Sequence, residues 1–194
     1  MPNSTAKDFA FSCNCGALHG AITAAGAKSG THTVCFCHDC RAAQLYFGQP
    51  DPAPGPVEVL QMLPEEIRID GGAEHLALMQ LSPKGMLRWY ASCCNAPLAV
   101  TTRTPKFPFA GFIVKRIADP SGLGPITTRG FVPQPDGKQS HEKLGPAVKG
   151  LISRVLKSRI SGSWKNSVFF DPKTRQPVAT PVILSQSERA AFYK

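Results

Sequence analysis

All seven cysteines of this 194-residue chain fall into three tight groups: Cys13-Asn14-Cys15, Cys35-Phe36-Cys37-His38-Asp39-Cys40 and Cys93-Cys94. Cysteines one residue apart are badly placed for a disulfide, which needs a specific separation of their backbones. They can both face one metal ion, and clustered thiolates at this spacing point to zinc. A division into four and three predicts two sites. Cys13, Cys15, Cys93 and Cys94 would form a closed structural site. Adjacent residues of a regular strand face opposite ways, so Cys93 and Cys94 can share a metal only if the backbone turns there, and nearby Pro97 favours a turn. Cys35, Cys37 and Cys40 supply three thiolates and leave a fourth position open, as catalytic zinc sites do. His38 could close that position, although a residue flanked by two ligands tends to point away. An iron–sulfur cluster needs four cysteines around one centre, which the division suits less well.

The chemistry follows from charge. Zinc held by three thiolates carries a formal charge of −1, which disfavours bound hydroxide and weakens the metal as a Lewis acid. A bound substrate thiolate stays nucleophilic. Sulfur chemistry is therefore expected in preference to hydrolysis. Arg41, adjacent to the middle group, is the candidate contact for a thiol's carboxylates.

These groups must be held by a mostly-β scaffold. Phe9 to Ile22 reads as two short strands turning at Cys15-Gly16, and Thr31 to Cys37 as a strand leading into the middle group. His38 to Phe47 suits a short helix, and Asp51 to Pro56, with three prolines, a loop. Four strand-like runs follow: Val57–Leu63, Ile67–Asp70, His75–Leu81 and Met86–Ser92. Gly71-Gly72 reads as a hairpin turn and Ser82-Pro83-Lys84-Gly85 as another. Leu98–Thr102 and Phe109–Lys115 complete a β core over residues 9–118.

Residues 119–194 read as a basic C-terminal extension. Its first part, 119–139, is Gly- and Pro-rich and suggests a linker or long surface loop. One amphipathic helix is expected near 146–161: Val148, Leu151, Ile152, Val155, Leu156 and Ile160 recur at helical spacing. Pro146 suits the first turn and Gly162 the stop. The apolar stripe is expected to pack on the β core.

The chain is long enough to bury a core without disulfides, and 42% hydrophobic content is an ordinary globular value. No apolar run approaches a membrane span and the first residues lack a signal-peptide core, so a cytoplasmic protein with no membrane partner is expected. Residues 1–100 carry 6 Lys/Arg and 8 Asp/Glu, net −2, whereas residues 101–194 carry 16 and 5, net +11. That basic half predicts weak, salt-sensitive affinity for polyanions.

Three segments resemble the family of glutathione-dependent formaldehyde-activating enzymes, which includes centromere protein V. They are Cys13-Asn-Cys15-Gly16, Cys35-Phe-Cys37-His-Asp-Cys40-Arg41 and Leu87-Arg88-Trp89-Tyr90-Ala91-Ser92-Cys93-Cys94-Asn95-Ala96-Pro97-Leu98, within residues 9–115. The resemblance implies a compact Mss-type fold of several small antiparallel sheets. It implies a structural zinc on Cys13, Cys15 and Cys94, and a glutathione-linked catalytic zinc on Cys35, Cys37 and Cys40. The third segment departs from the family pattern, with Ala91 at a cysteine position and Asn95 at a glycine position. Cys93 is then the candidate replacement ligand. The reading expected from the sequence is a zinc-dependent carbon–sulfur lyase acting on adducts of a thiol such as glutathione with a small electrophile. The alternatives are a non-enzymatic zinc module that contacts an acidic partner or nucleic acid through the basic half, and a structural protein with two closed sites.

Overall fold

The computed structural model describes residues 7–193. In chain order the elements are β1 (Phe9–Ser12), β2 (His19–Ile22), α1 (Ala24–Ser29), β3 (Thr31–Cys35), α2 (His38–Tyr46), β4 (Val57–Met62), β5 (Ile67–Gly71), β6 (Leu76–Gln80), β7 (Leu87–Ala91), β8 (Ala96–Thr101), β9 (Ala110–Ile113), β10 (Thr128–Pro133), β11 (Gln139–Glu142), α3 (Leu144–Ser161), β12 (Pro181–Ile183) and α4 (Gln186–Ala191). The fold is mainly β, as the short alternating runs predict.

The sheets differ from the expected set of several small antiparallel ones. β1, β2 and β5 form a three-stranded sheet, and the other nine strands form one sheet in the order β11-β10-β3-β4-β9-β8-β7-β6-β12. Most pairs are antiparallel, but β10 runs parallel to β3 and β12 parallel to β6. Both exceptions come from strands beyond residue 118, which the chain returns to the two ends of the sheet. The region expected to be a loop, 119–139, therefore contains β10. Its proline lies at the strand's end, where a missing amide is tolerated.

Gly71-Gly72 is not a hairpin either. β5 pairs with β2 in the small sheet, while β6 pairs with β7 in the large one. Gly72 has φ +73°, and a Cβ there would lie 2.1 Å from the Ala17 carbonyl oxygen, so the chain changes sheets at a point where only glycine fits. The Ser82–Gly85 turn does close a hairpin, with the Gly85 amide donating to the Ser82 carbonyl at 2.9 Å.

β7 shows how the sequence positions the sites. Leu87, Trp89 and Ala91 alternate into the core, and Arg88 and Tyr90 face the other way. Trp89 is fully buried, and its indole N–H donates to Thr101 Oγ1 at 2.9 Å, which satisfies the polar atom of an otherwise apolar payload. Its ring packs on Phe169, centroids 4.8 Å apart. Phe169 and Phe170 belong to the same core cluster as Phe11, Leu60 and Phe112.

α3 begins and ends close to its expected limits, and Gly162 closes it with φ +78°. The face it buries is turned away from the centre of the expected stripe, of which only Leu151 and Val155 are half-buried. Ala147, Arg154 and Ser158 are buried, whereas Val148, Ile152, Leu156 and Ile160 are 41–86% exposed. Small and hydrogen-bonding residues let the helix approach closely. Arg154 donates to the Ser29 carbonyl at 2.7 Å and to Thr31 Oγ1 at 3.2 Å. Ser158 donates to Glu65. Ile152→Gln should accordingly change stability by no more than about 0.5 kcal/mol, as surface substitutions do. Arg154→Ala, which strands two acceptors, should cost about 1–3 kcal/mol. Urea unfolding of both variants tests this; a core-sized loss for Ile152→Gln would mean that the stripe is covered after all.

Candidate metal centres

Two groups of cysteine sulfurs converge, with all sulfurs in each lying within 4.8 Å of one another: Cys13, Cys15, Cys93 and Cys94 in one, Cys35, Cys37 and Cys40 in the other.

The four-cysteine group is built from two turns. The first joins β1 to β2, where Gly16 takes φ +79° and the Leu18 amide donates to Cys13 Sγ at 3.3 Å. The second joins β7 to β8. Residues 92–95 leave the strand there, and Asn95 adopts φ +52°. That turn is the condition under which adjacent cysteines can face one ion, and both do. Sulfur separations are 3.6 Å for Cys13–Cys15, 3.7 Å for Cys13–Cys93, 3.4 Å for Cys15–Cys93 and 3.9 Å for Cys93–Cys94. Four sulfurs about 2.3 Å from a tetrahedral ion sit about 3.8 Å apart, so the residues fit such an ion. Ala91 is buried in the core, and the Cys93 sulfur joins the group.

Electrostatics around this group favour thiolates unequally. Burial pushes the Cys13 thiol up, but the Leu18 amide and the neighbouring sulfurs more than offset it and bring it down to about 6. Burial, together with the Cys15, Cys13 and Cys94 sulfurs, raises Cys93 to about 12. Arg116 is buried beside the group and donates to Asn14 Oδ1 inside the first turn. Its charge would oppose the excess negative charge of four thiolates on a divalent ion.

The three-cysteine group lies where β3 runs into α2. Cys35 ends the strand, and Cys37 caps the helix by accepting from the Cys40 amide at 3.3 Å. A sulfur at a helix N-terminus meets free N–H groups and the positive end of the helix dipole. The Cys35 and Cys40 sulfurs, that amide and the Arg88 charge hold the Cys37 thiol far down, at about 2, against the effect of burial. Cys35 is pushed up to about 11, chiefly by Cys37, and Cys40 is raised by the other two sulfurs and by burial. Among the described residues, no fourth Cys, His, Asp or Glu joins the group. His38 does not: its ring stacks on Tyr193, centroids 6.4 Å apart.

Arg41 stands beside the group, but its guanidinium is engaged by Asp51, at 2.8 Å from Nε and 2.7 Å from Nη2. A cavity of about 220 Å³ opens next to Cys35 and Cys37, bounded also by Phe36, His38, Arg41, the 52–55 loop, Val57 and Pro133.

Several residues here escaped the sequence reading. Arg88 pairs with Asp39 at 3.7 Å from across the sheet. Tyr193 donates to Asp39, and Arg189 lies 3.8 Å from the same carboxylate. The end of the chain thus returns to the middle cysteine group. No local motif announces such a contact; the alternation of β7 was the only signal that Arg88 faces away from the core. Elsewhere three cations of the basic half meet at Trp164: Arg159, Arg175 and Lys165, at 4.7, 4.9 and 5.9 Å from its ring centroid. Among the described residues no helix is long and apolar enough to cross a membrane.

No curated protein matches the chain. Among solved structures, a crystal structure of a Rhodobacter sphaeroides protein is similar at 21% identity, covering 60% of this chain and 96% of that one, with a TM-score of 0.41. Residues 5–179 match a family described only as a family of unknown function, DUF6151. A match over most of its length means that this chain belongs to the DUF6151 family.

Proposed function

We propose that the protein is a zinc-dependent carbon–sulfur lyase that joins a small electrophile to a small thiol, or releases it. One observation carries this reading: among the described residues three cysteine sulfurs converge without a fourth Cys, His, Asp or Glu, and two of the three residues, Cys35 and Cys37, border a cavity. Cys13, Cys15, Cys93 and Cys94 would hold a structural zinc, and Cys35, Cys37 and Cys40 the second. Zinc bound to three cysteines supplies a position for an external thiolate and keeps that sulfur nucleophilic.

The reaction that suits such a site conserves every atom. The thiol sulfur bonds to the carbon of an aldehyde, the C=O π pair moves to oxygen, and the thiol proton ends on that oxygen. The reverse step breaks the same C–S bond. The chain's own contribution is to orient and exclude water. Cys35 and Cys37 border the cavity on one side, and Phe36, Val57 and the prolines shed water on the others. His38 borders the same cavity, and its imidazole would relay the proton between sulfur and oxygen. The resemblance to glutathione-dependent formaldehyde-activating enzymes supports the same class of reaction.

The test is a thiol titration of the cobalt(II)-loaded chain. At least one small thiol should perturb the cobalt spectrum with a Kd in the low-millimolar range or tighter, and Cys37→Ser should abolish the effect. If no thiol changes the spectrum, the middle site is closed and the lyase reading fails.

A further inference from the structure

The walls of the cavity beside Cys35 and Cys37 also say which thiol it takes. We infer that the open site accepts a short, uncharged thiol in preference to one carrying carboxylates. This rests on the reading of the three-cysteine group as an open thiol site.

Size comes first. At about 220 Å³ the cavity falls below the roughly 300–1,000 Å³ of clefts that enclose drug-sized molecules. It has room for a chain of a few heavy atoms. The lining is the second constraint. Phe36, Pro52, Pro54, Val57 and Pro133 present apolar surface, and prolines add no N–H to greet an anion.

Charge is the decisive constraint. Three thiolates on a divalent ion leave an excess of −1 at the mouth of the cavity, so an added carboxylate needs a cation to offset it. Every arginine found around the cavity already faces a carboxylate. Arg41 holds Asp51 through two nitrogens. Arg88 and Arg189 share Asp39 at 3.7 and 3.8 Å. Arg129 lies over the Phe36 ring at 5.4 Å and meets Glu142 at 3.4 Å. Four arginines against Asp51, Asp39 and Glu142 leave +1, which the −1 of the metal group itself already offsets. A thiol with carboxylates would shed its hydration and find, among the described residues, no uncompensated arginine in return. A neutral alkyl or hydroxyalkyl thiol loses little and gains contact with the apolar wall. Arg41, the contact expected for a thiol's carboxylates, acts instead as half of the Asp51 pair that closes the rim.

The experiment uses the full chain loaded with cobalt(II) and four probes: ethanethiol, 2-mercaptoethanol, 3-mercaptopropionate and glutathione. Affinities are read from the cobalt spectrum and compared at equal thiolate concentration, because the probes differ in thiol pKa. The neutral pair should bind at least tenfold more tightly than 3-mercaptopropionate, which is similar in length. Asp51→Asn, which keeps an acceptor for the Ala53 amide but removes the charge, should narrow that gap several-fold by strengthening 3-mercaptopropionate alone. If 3-mercaptopropionate or glutathione binds as tightly as ethanethiol, the inference is overturned while the open site stands. If Asp51→Asn leaves the gap unchanged, the charge argument is wrong. A spectrum that no thiol perturbs removes both the inference and the lyase reading.

Discussion

Replacing Cys93 or Cys94 with serine should empty the four-cysteine site and lower the melting temperature by about 8–16 °C. The figure follows from a loss on the order of 4 kcal/mol, the exceptional range that includes loss of a structural metal, and from about 2–4 °C per kcal/mol for a chain of this size. The physical cause is the distance the clip spans. Cys13 and Cys15 sit in the β1–β2 turn of the small sheet, and Cys93 and Cys94 in the β7–β8 turn of the large one. An ion between them would tie two sheets that otherwise meet through the core, and binding energy at such a site is folding energy. Metal content should fall from two ions per chain to one in either variant. Cys40→Ser should also remove one ion, but with a smaller thermal shift, because its three sulfurs lie within one continuous strand–helix segment. Elemental analysis beside a thermal melt decides the matter. A Cys93→Ser protein with two ions and an unchanged melt would show that Cys93 is a bystander and that the site has only three protein ligands.

Phe169→Ala should cost about 3–5 kcal/mol, the range for truncating a buried aromatic. Phe169 is 2% exposed and packs against Trp89, itself completely buried on an interior strand of the large sheet. The side chain comes from the basic C-terminal half, so the expected loss measures how far that half and the β core are one folding unit. Urea unfolding followed by tryptophan fluorescence reports on both, since Trp89 lies in the core and Trp164 at the end of α3. We expect a single transition in the wild type and a single, shifted one in the variant. An unchanged midpoint would mean that residues beyond 118 fold as an appendage and that the Phe169–Trp89 contact is incidental.

Read by itself, the sequence determined the features that depend on near neighbours. The grouping of the cysteines, the helix starting at His38 and the α3 stop at Gly162 are set within a few residues by spacing, capping and left-handed glycine. The demand for a turn at Cys93-Cys94 followed from the two-residue period of a strand, and Asn95 meets it with a positive φ. Most of β4 to β9 was legible from alternation and turn residues. What the tertiary structure decided is who covers whom. The period of α3 announced an apolar stripe, but period alone does not say which face meets the sheet. Arg154 and Ser158 won that face because hydrogen bonds to Ser29, Thr31 and Glu65 repay the burial of polar groups, while Ile152 and Leu156 stayed outside. β11 and β12 were hidden because short edge strands carry little alternation and become strands only when a neighbour offers its open hydrogen bonds, and β10 because it lies in a Gly- and Pro-rich segment and pairs with distant β3. The same holds at the middle cysteine group. Arg41 beside Cys40 could be read from the sequence, but its neutralisation by Asp51 and the return of Tyr193 to Asp39 depend on contacts that form only when distant segments meet.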